Sequence, residues 1–141
     1  AMHMPMRYTV HDLPPEKHAV NGPTYVSVDG ITGAERYGVL SAIDPATGKI
    51  AWQAKTPQIL IGGLVTTAGG LVFMGEGNGL FTARDVQDGK LLWSFQTGAG
   101  VNAPPVVYRA QGRQYVAVAS GGPQLFQFPL GGAVIAFGLP E

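Results

Sequence analysis

The side chains able to do chemistry are few in this 141-residue sequence, and their spacing argues against a self-contained catalytic centre. Nine carboxylates are available, at Asp12, Glu16, Asp29, Glu35, Asp44, Glu76, Asp85, Asp88 and Glu141. Three histidines, His3, His11 and His18, form neither a His-x-His nor a His-x-x-x-His pair, so no metal pair is prefigured. Asp-x-Asp-x-Asp spacing, which would wrap a calcium ion, is missing. Ser27, Ser41, Ser94 and Ser120 offer hydroxyls, but none stands at a strand-to-helix elbow where a nucleophile would be activated. Gly75-Glu-Gly-Asn-Gly79 has the glycines of a phosphate cradle. No helix pattern follows it, and the helix N-terminus is what makes such loops hold phosphate. Asn78-Gly79 reads instead as a hairpin turn, with Glu76 a solvated acid beside it. On residues alone the chain is a non-catalytic β-repeat segment, with no catalytic residue and no metal ligand to assign.

The elements that would position any site are written twice. Gly38-Val-Leu-Ser-Ala-Ile-Asp-Pro-Ala-Thr-Gly-Lys-Ile-Ala-Trp52 is echoed by Gly79-Leu-Phe-Thr-Ala-Arg-Asp-Val-Gln-Asp-Gly-Lys-Leu-Leu-Trp93, at an offset of 41 residues. Thr56 and Thr97 keep the same offset. In each copy a short alternating strand enters Asp-x-x-x-Gly-Lys, and a second strand carries the Trp. The Asp can accept from the backbone N–H groups that follow it, and the Gly can take a positive φ. The Trp is expected to fill the gap between stacked sheets. One such unit cannot bury its own apolar face, so repeated blades are expected. A period near 40 residues belongs to propellers, and this length holds about three blades, fewer than the roughly four to eight that close a ring.

Composition agrees. There are 21 glycines and 11 prolines, as expected for many short strands joined by turns, and the apolar content is too high for disorder. Equal numbers of basic and acidic residues argue against a nucleic-acid surface or an anionic membrane surface. With no cysteine there is neither disulfide nor thiolate chemistry. No apolar run is long enough for a transmembrane helix, and no signal peptide is visible.

Taken in order, residues 1–37 form a linking region and partial blade. Within it His11 to His18 reads as loop because of its consecutive prolines, and Thr24 to Val28 as a strand. Residues 38–141 hold the blades, with motifs at 38–52 and 79–93 and a closing strand over Ala133 to Phe137. Further strands are expected over Leu64–Thr67, Leu71–Met74, Val106–Tyr108 and Gln114–Ala119. The aromatics of Ser120 to Gly132 need something to cover them. No segment reads as helix. The fold class is all-β.

These motifs carry a resemblance. Ala-x-Asp-x-x-x-Gly-Lys-x-x-Trp at Ala42–Trp52 and Ala83–Trp93 marks a propeller superfamily. The order of Gly62-Gly63-Leu-Val-Thr-Thr-Ala-Gly-Gly-Leu-Val-Phe73, Phe95-Gln-Thr-Gly-Ala-Gly100, Ala103-Pro-Pro-Val-Val-Tyr108, Gly112-Arg-Gln-Tyr-Val-Ala-Val118 and Val134-Ile-Ala-Phe-Gly-Leu-Pro140 is more specific. The chain resembles the C-terminal part of the quinoprotein alcohol dehydrogenases, eight-bladed propeller enzymes dependent on pyrroloquinoline quinone (PQQ).

The resemblance implies a periplasmic or secreted enzyme that oxidises an alcohol or sugar and passes electrons to a cytochrome or quinone. It implies calcium or a lanthanide as Lewis acid beside PQQ, held by ligands upstream of this portion together with the catalytic base. The chain would then supply structural blades and part of the cofactor pocket wall, at Ile61 and Gly62, with the remaining blades or another protein chain as its partner. Methanol dehydrogenase-like members carry a tryptophan just before the matching Gly-Gly, where it stacks on the quinone. Ile61 stands there in this sequence, keeping an apolar face without the broad plane. The usual Trp after Gly121-Gly122 is replaced by Pro123-Gln-Leu-Phe-Gln-Phe128. Two other readings of the residues stay open, a non-catalytic binding or scaffold propeller and a small fragment that self-associates to rebuild a ring.

Overall fold

A computed structural model describes residues 2–12, 14, 24–31, 33–122 and 126–138. Glu16, His18, Gly22-Pro23, residues 123–125 and the last three residues lie outside the described residues. The strands are β1 (Met2–His3), β2 (Met6–Asp12), β3 (Thr24–Gly30), β4 (Tyr37–Ile43), β5 (Ile50–Thr56) and β6 (Leu64–Thr66). They continue as β7 (Leu71–Gly75), β8 (Leu80–Asp85), β9 (Leu91–Gln96), β10 (Val106–Ala110), β11 (Arg113–Ser120) and β12 (Ala133–Gly138). No α-helix occurs among the described residues.

Four antiparallel sheets result. One has four strands in the order β6-β7-β8-β9, two have three strands (β1-β4-β5 and β10-β11-β12), and β2-β3 is a lone hairpin. The hairpin corrects the sequence reading, which had no strand over residues 6–12. Met6 to Asp12 pairs with Thr24 to Gly30 along its whole length, and His11 Nε2 meets Ser27 Oγ at 2.9 Å across it. Alternation was hard to see there because Arg7, Thr9 and His11 interleave with exposed apolar residues, Tyr8 and Val10.

The repeat in the sequence is a repeat in space, down to single hydrogen bonds. Asp44 Oδ1 accepts from the Ala46 N–H at 2.9 Å, and Asp85 Oδ1 from the Gln87 N–H at 2.7 Å. Asp44 N donates to Lys49 O and Asp85 N to Lys90 O, both at 2.9 Å. Gly48 and Gly89 stand at φ 69° and 74°, the left-handed region that a side chain resists. Each pair of strands slips register at the residue before its turn, between Ala42 and Ile43 and between Ala83 and Arg84. The bulge twists the outer strand so that its Trp leans toward the next sheet. Further along, Thr56 Oγ1 donates to Gln58 O and Thr97 Oγ1 to Ala99 O, both at 2.8 Å.

The core sits between sheets, as expected for units that cannot bury their own faces. Leu40, Val72 and Met74 are buried between the β1-β4-β5 sheet and the four-stranded sheet, with Trp52, Ala54 and Leu60 packed on them. Phe81, Val101, Val116 and Val118 are buried between the four-stranded sheet and the β10-β11-β12 sheet, with Phe73, Val107 and Phe137 against them. Burying a side chain as completely as Phe81, which has no exposed surface, contributes on the order of 2–3 kcal/mol. The two clusters are the same interface made twice, with Phe81 for Leu40 and Val101 for Leu60.

Candidate functional site

Alternating strand directions put two kinds of connection at one end of the sheets. The first links one sheet to the next, over residues 57–63 and 97–105. The second joins neighbouring strands within a sheet, β7 to β8 over residues 76–79 and β11 to β12 after Ser120. Ile61 and Gly62 belong to the first kind. Ile61 is half-buried and Gly62 exposed.

The pair Gly62-Gly63 lies against the following connection so closely that side chains have no room. A Cβ on Gly62 would stand 2.9 Å from the Asn102 carbonyl oxygen, and one on Gly63 would stand 2.6 Å from Pro104 Cβ. Asn102 is the 41-residue mate of Ile61, as Thr97 is of Thr56. In the sequence it stands inside a glycine- and proline-rich stretch, between two quoted motifs and in neither. The signal that finds it is the same period, carried five residues past Thr97. Its amide Nδ2 is buried and has no hydrogen-bond partner among the described residues. A buried donor left open in this way costs on the order of 1–3 kcal/mol unless a ligand or water accepts from it.

Glu76 departs from the solvated acid that the sequence suggests. Its side chain is 3% exposed. The Val101 N–H donates to its backbone carbonyl at 3.0 Å, which pulls the next connection over it, and Gly77 beside it lies under the ring of Phe128. Burial raises its pKa above the usual carboxylate value, opposed by the Arg84 charge and by the Asn78 amide 3.5 Å from Oε2. Phe128, itself buried, accounts for one of the aromatics that the 120–132 stretch had to cover. Asn78-Gly79 forms the expected turn, with the Gly79 N–H donating to Glu76 O at 3.1 Å.

Ser120 is buried at the matching strand end of the third sheet. Its Oγ donates to Ala99 O at 2.9 Å and sits 2.8 Å from Thr97 Oγ1, so it fastens the end of β11 to the connection over residues 97–105. Among the described residues, no three His, Asp or Glu side chains converge as metal ligands. What this end presents is an aliphatic surface at Ile61, an amide donor at Asn102 without a partner among the described residues, and backbone brought close by glycine.

Three sheets stacked face to face, with the sheet-to-sheet connections at one end, define a segment of β-propeller. The family model for the PQQ-dependent glucose, ethanol and alcohol dehydrogenase β-propeller domain matches residues 33–116, and the chain belongs to that family. It is 45% identical over 87 residues to the quinoprotein alcohol dehydrogenase PedE of Pseudomonas putida, which covers 62% of this chain and 14% of that protein. It is 46% identical over 84 residues to a lupanine 17-hydroxylase (cytochrome c) of a Pseudomonas species, covering 60% of this chain and 12% of the relative. In three dimensions it is similar to a europium-containing methanol dehydrogenase, with a TM-score of 0.70, 31% identity, and coverage of 86% of this chain and 22% of the other. The chain thus spans about one seventh of the length of the curated relatives it matches.

Proposed function

We propose that this chain is a portion of a PQQ-dependent dehydrogenase acting on an alcohol or sugar, and that it supplies structural blades and part of the cofactor pocket wall. The observation that carries this reading is the juxtaposition of Ile61 and Gly62 with Asn102 at the connection end of a chain belonging to the quinoprotein family.

These residues suit one side of a planar, oxygen-rich group. Ile61 offers an apolar surface that excludes water from a ring face. Asn102 Nδ2 is a donor without an acceptor among the described residues, suited to a carbonyl or carboxylate oxygen. Gly62 allows the two connections to close without a side chain between them. When bound, PQQ would accept the two electrons released as the substrate's hydroxyl-bearing carbon becomes a carbonyl, with calcium or a lanthanide polarising the quinone. The metal ligands and the base that takes the hydroxyl proton would come from the remaining blades or a partner chain. A cytochrome or quinone would be the electron acceptor, and the setting periplasmic or secreted.

Native mass spectrometry and a visible spectrum of the protein isolated from its source test this reading. The expected result is a heavier polypeptide or assembly, with metal mass and quinone absorbance. A bare 14.8 kDa chain without a chromophore would overturn it.

A further inference from the structure

The first sheet has an elaborate version of a connection that the second sheet makes in a few residues. β7 passes to β8 over residues 76–79, whereas the matching step from β1 to β4 runs over residues 4–36 and carries the β2-β3 hairpin. The root of the hairpin is tied down where it rejoins the sheet. The Ile31 N–H donates to Pro5 O and the Ala34 N–H to Ile31 O, both at 3.2 Å, and Gly33 turns the chain at φ 77°. The Arg36 guanidinium lies across Gly30, so close that a Cβ there would stand 2.5 Å from Nη2.

An open cleft of about 700 Å³ lies between this root, the first sheet-to-sheet connection and the stretch after Ser120. Asp29 and Arg36 line it from the root, Pro57 and Gln58 from the connection that carries Ile61, and Phe126 and Gln127 from the third sheet. The side chains of Asp29, Arg36, Gln58 and Gln127 make no hydrogen bond or ion pair among the described residues. Gln127 stands at φ 58°, a left-handed backbone that a residue with a Cβ adopts at a cost. Phe126 beside it is half-buried and packs on Phe128, their ring centroids 5.8 Å apart.

We infer that this cleft binds a polyhydroxylated alcohol, a sugar or alditol, and selects such a substrate over simple alkanols. The guanidinium offers a fork of donors, the carboxylate only acceptors, and each glutamine amide both. Neighbouring hydroxyls, which donate and accept, match that mixed set. A carboxylate or phosphate ligand suits it less, because Asp29 opposes the anion that Arg36 attracts. An alkyl chain would strip water from the four polar groups and return no hydrogen bond. Pro57 and Phe126 supply apolar surface for the C–H face of a sugar, and the volume falls within the roughly 300–1,000 Å³ of small-molecule sites. Gln58 precedes Ile61 on the same connection, which leads from the cleft to the proposed cofactor wall. The selection rests on the proposed dehydrogenase role, and the binding does not.

The test uses the complete protein and its Arg36→Leu and Gln58→Leu variants, with glucose, glucitol and glycerol set against 1-butanol. Saturation-transfer NMR without an electron acceptor measures binding, and acceptor reduction measures kcat/KM. At least one polyol is expected to bind the unaltered protein, and each variant to weaken it about tenfold, the loss of a hydrogen bond or two. The kcat/KM ratio of that polyol to 1-butanol should fall by a similar factor. Equal urea midpoints show that the variants, both at the cleft rim, are folded. Failure of all three polyols to bind, or binding unaltered in both variants, would overturn the site. Equal loss of polyol and 1-butanol turnover would overturn the selection. Polyol binding that the variants weaken, in a protein that oxidises none of the four alcohols, would uphold the site and overturn the dehydrogenase role instead.

Discussion

The ring of Trp52 occupies the space where a side chain on Gly89 would stand. A Cβ there would lie 2.5 Å from Trp52 Cε3, while the indole N–H reaches past it to Val86 O. The glycine of the turn thus has two duties, a left-handed φ of 74° and a bare surface for the preceding sheet's tryptophan. Its repeat-mate Gly48 has the first duty alone, with φ 69° and nothing within 4 Å of its would-be Cβ.

Alanine separates the two duties. Gly48→Ala is expected to cost about 1 kcal/mol, the left-handed backbone penalty. Gly89→Ala adds displacement of an indole and should cost about 2–4 kcal/mol. Urea unfolding midpoints of the two variants measure the difference, and equal losses would show that Trp52 does not need the bare surface.

The hydroxyl pair at Thr97 and Ser120 is expected to couple two connections. Ser120 Oγ serves Ala99 O and meets Thr97 Oγ1 inside the protein, so Ser120→Ala should destabilise by about 1–3 kcal/mol. A double-mutant cycle with Thr97→Val should return a coupling of about 0.5–1.5 kcal/mol. Strict additivity would mean that the two hydroxyls act separately.

Glu76 gives the stability a pH dependence of definite sign. Burial raises its folded-state pKa above the unfolded value, so the fold favours the protonated acid. Its contribution is full below the unfolded carboxyl pKa. It declines as pH rises from there through the folded pKa, and levels off above it. Asp44, whose pKa is lowered by the Thr47 hydroxyl and the Ala46 N–H, acts in the opposite sense, losing its contribution as pH falls. Comparing the chain with Glu76→Gln across the acid-to-neutral range isolates the first effect. The variant should gain relative stability as pH rises, and a constant difference would contradict the buried placement.

Ile61→Asp puts a carboxylate on the proposed cofactor wall. In the complete enzyme it should weaken PQQ retention by about tenfold or more, through desolvation and repulsion of the cofactor's own anionic groups. Equilibrium dialysis of the quinone measures this. Unchanged retention would remove Ile61 from the wall.

Much of the fold is legible in the residues because turn chemistry is local. Asp-x-x-x-Gly-Lys dictates which N–H groups the carboxylate accepts and which residue takes positive φ, and both copies obey it within their own few residues. Strand alternation at β4, β7, β8 and β11 is equally local, and a tryptophan eight residues after each Asp announces a neighbour to be covered. The hairpin at residues 6–30 was less legible, since its pairing runs between segments separated by consecutive prolines and its exposed face mixes polar with apolar residues.

The sequence by itself determined the repeat, the turns, the all-β class and the quinoprotein resemblance, each resting on short-range geometry or on residue order. Only the tertiary structure decided the rest. It buried Glu76 beneath the next connection, left Asn102 beside Gly62 with a donor unanswered among the described residues, and covered Trp52 with the β8–β9 turn of the next sheet. The reason is physical. Burial and hydrogen-bond satisfaction depend on what a neighbouring sheet brings to a residue, and two copies of one motif acquire different surroundings once they occupy different places in the stack.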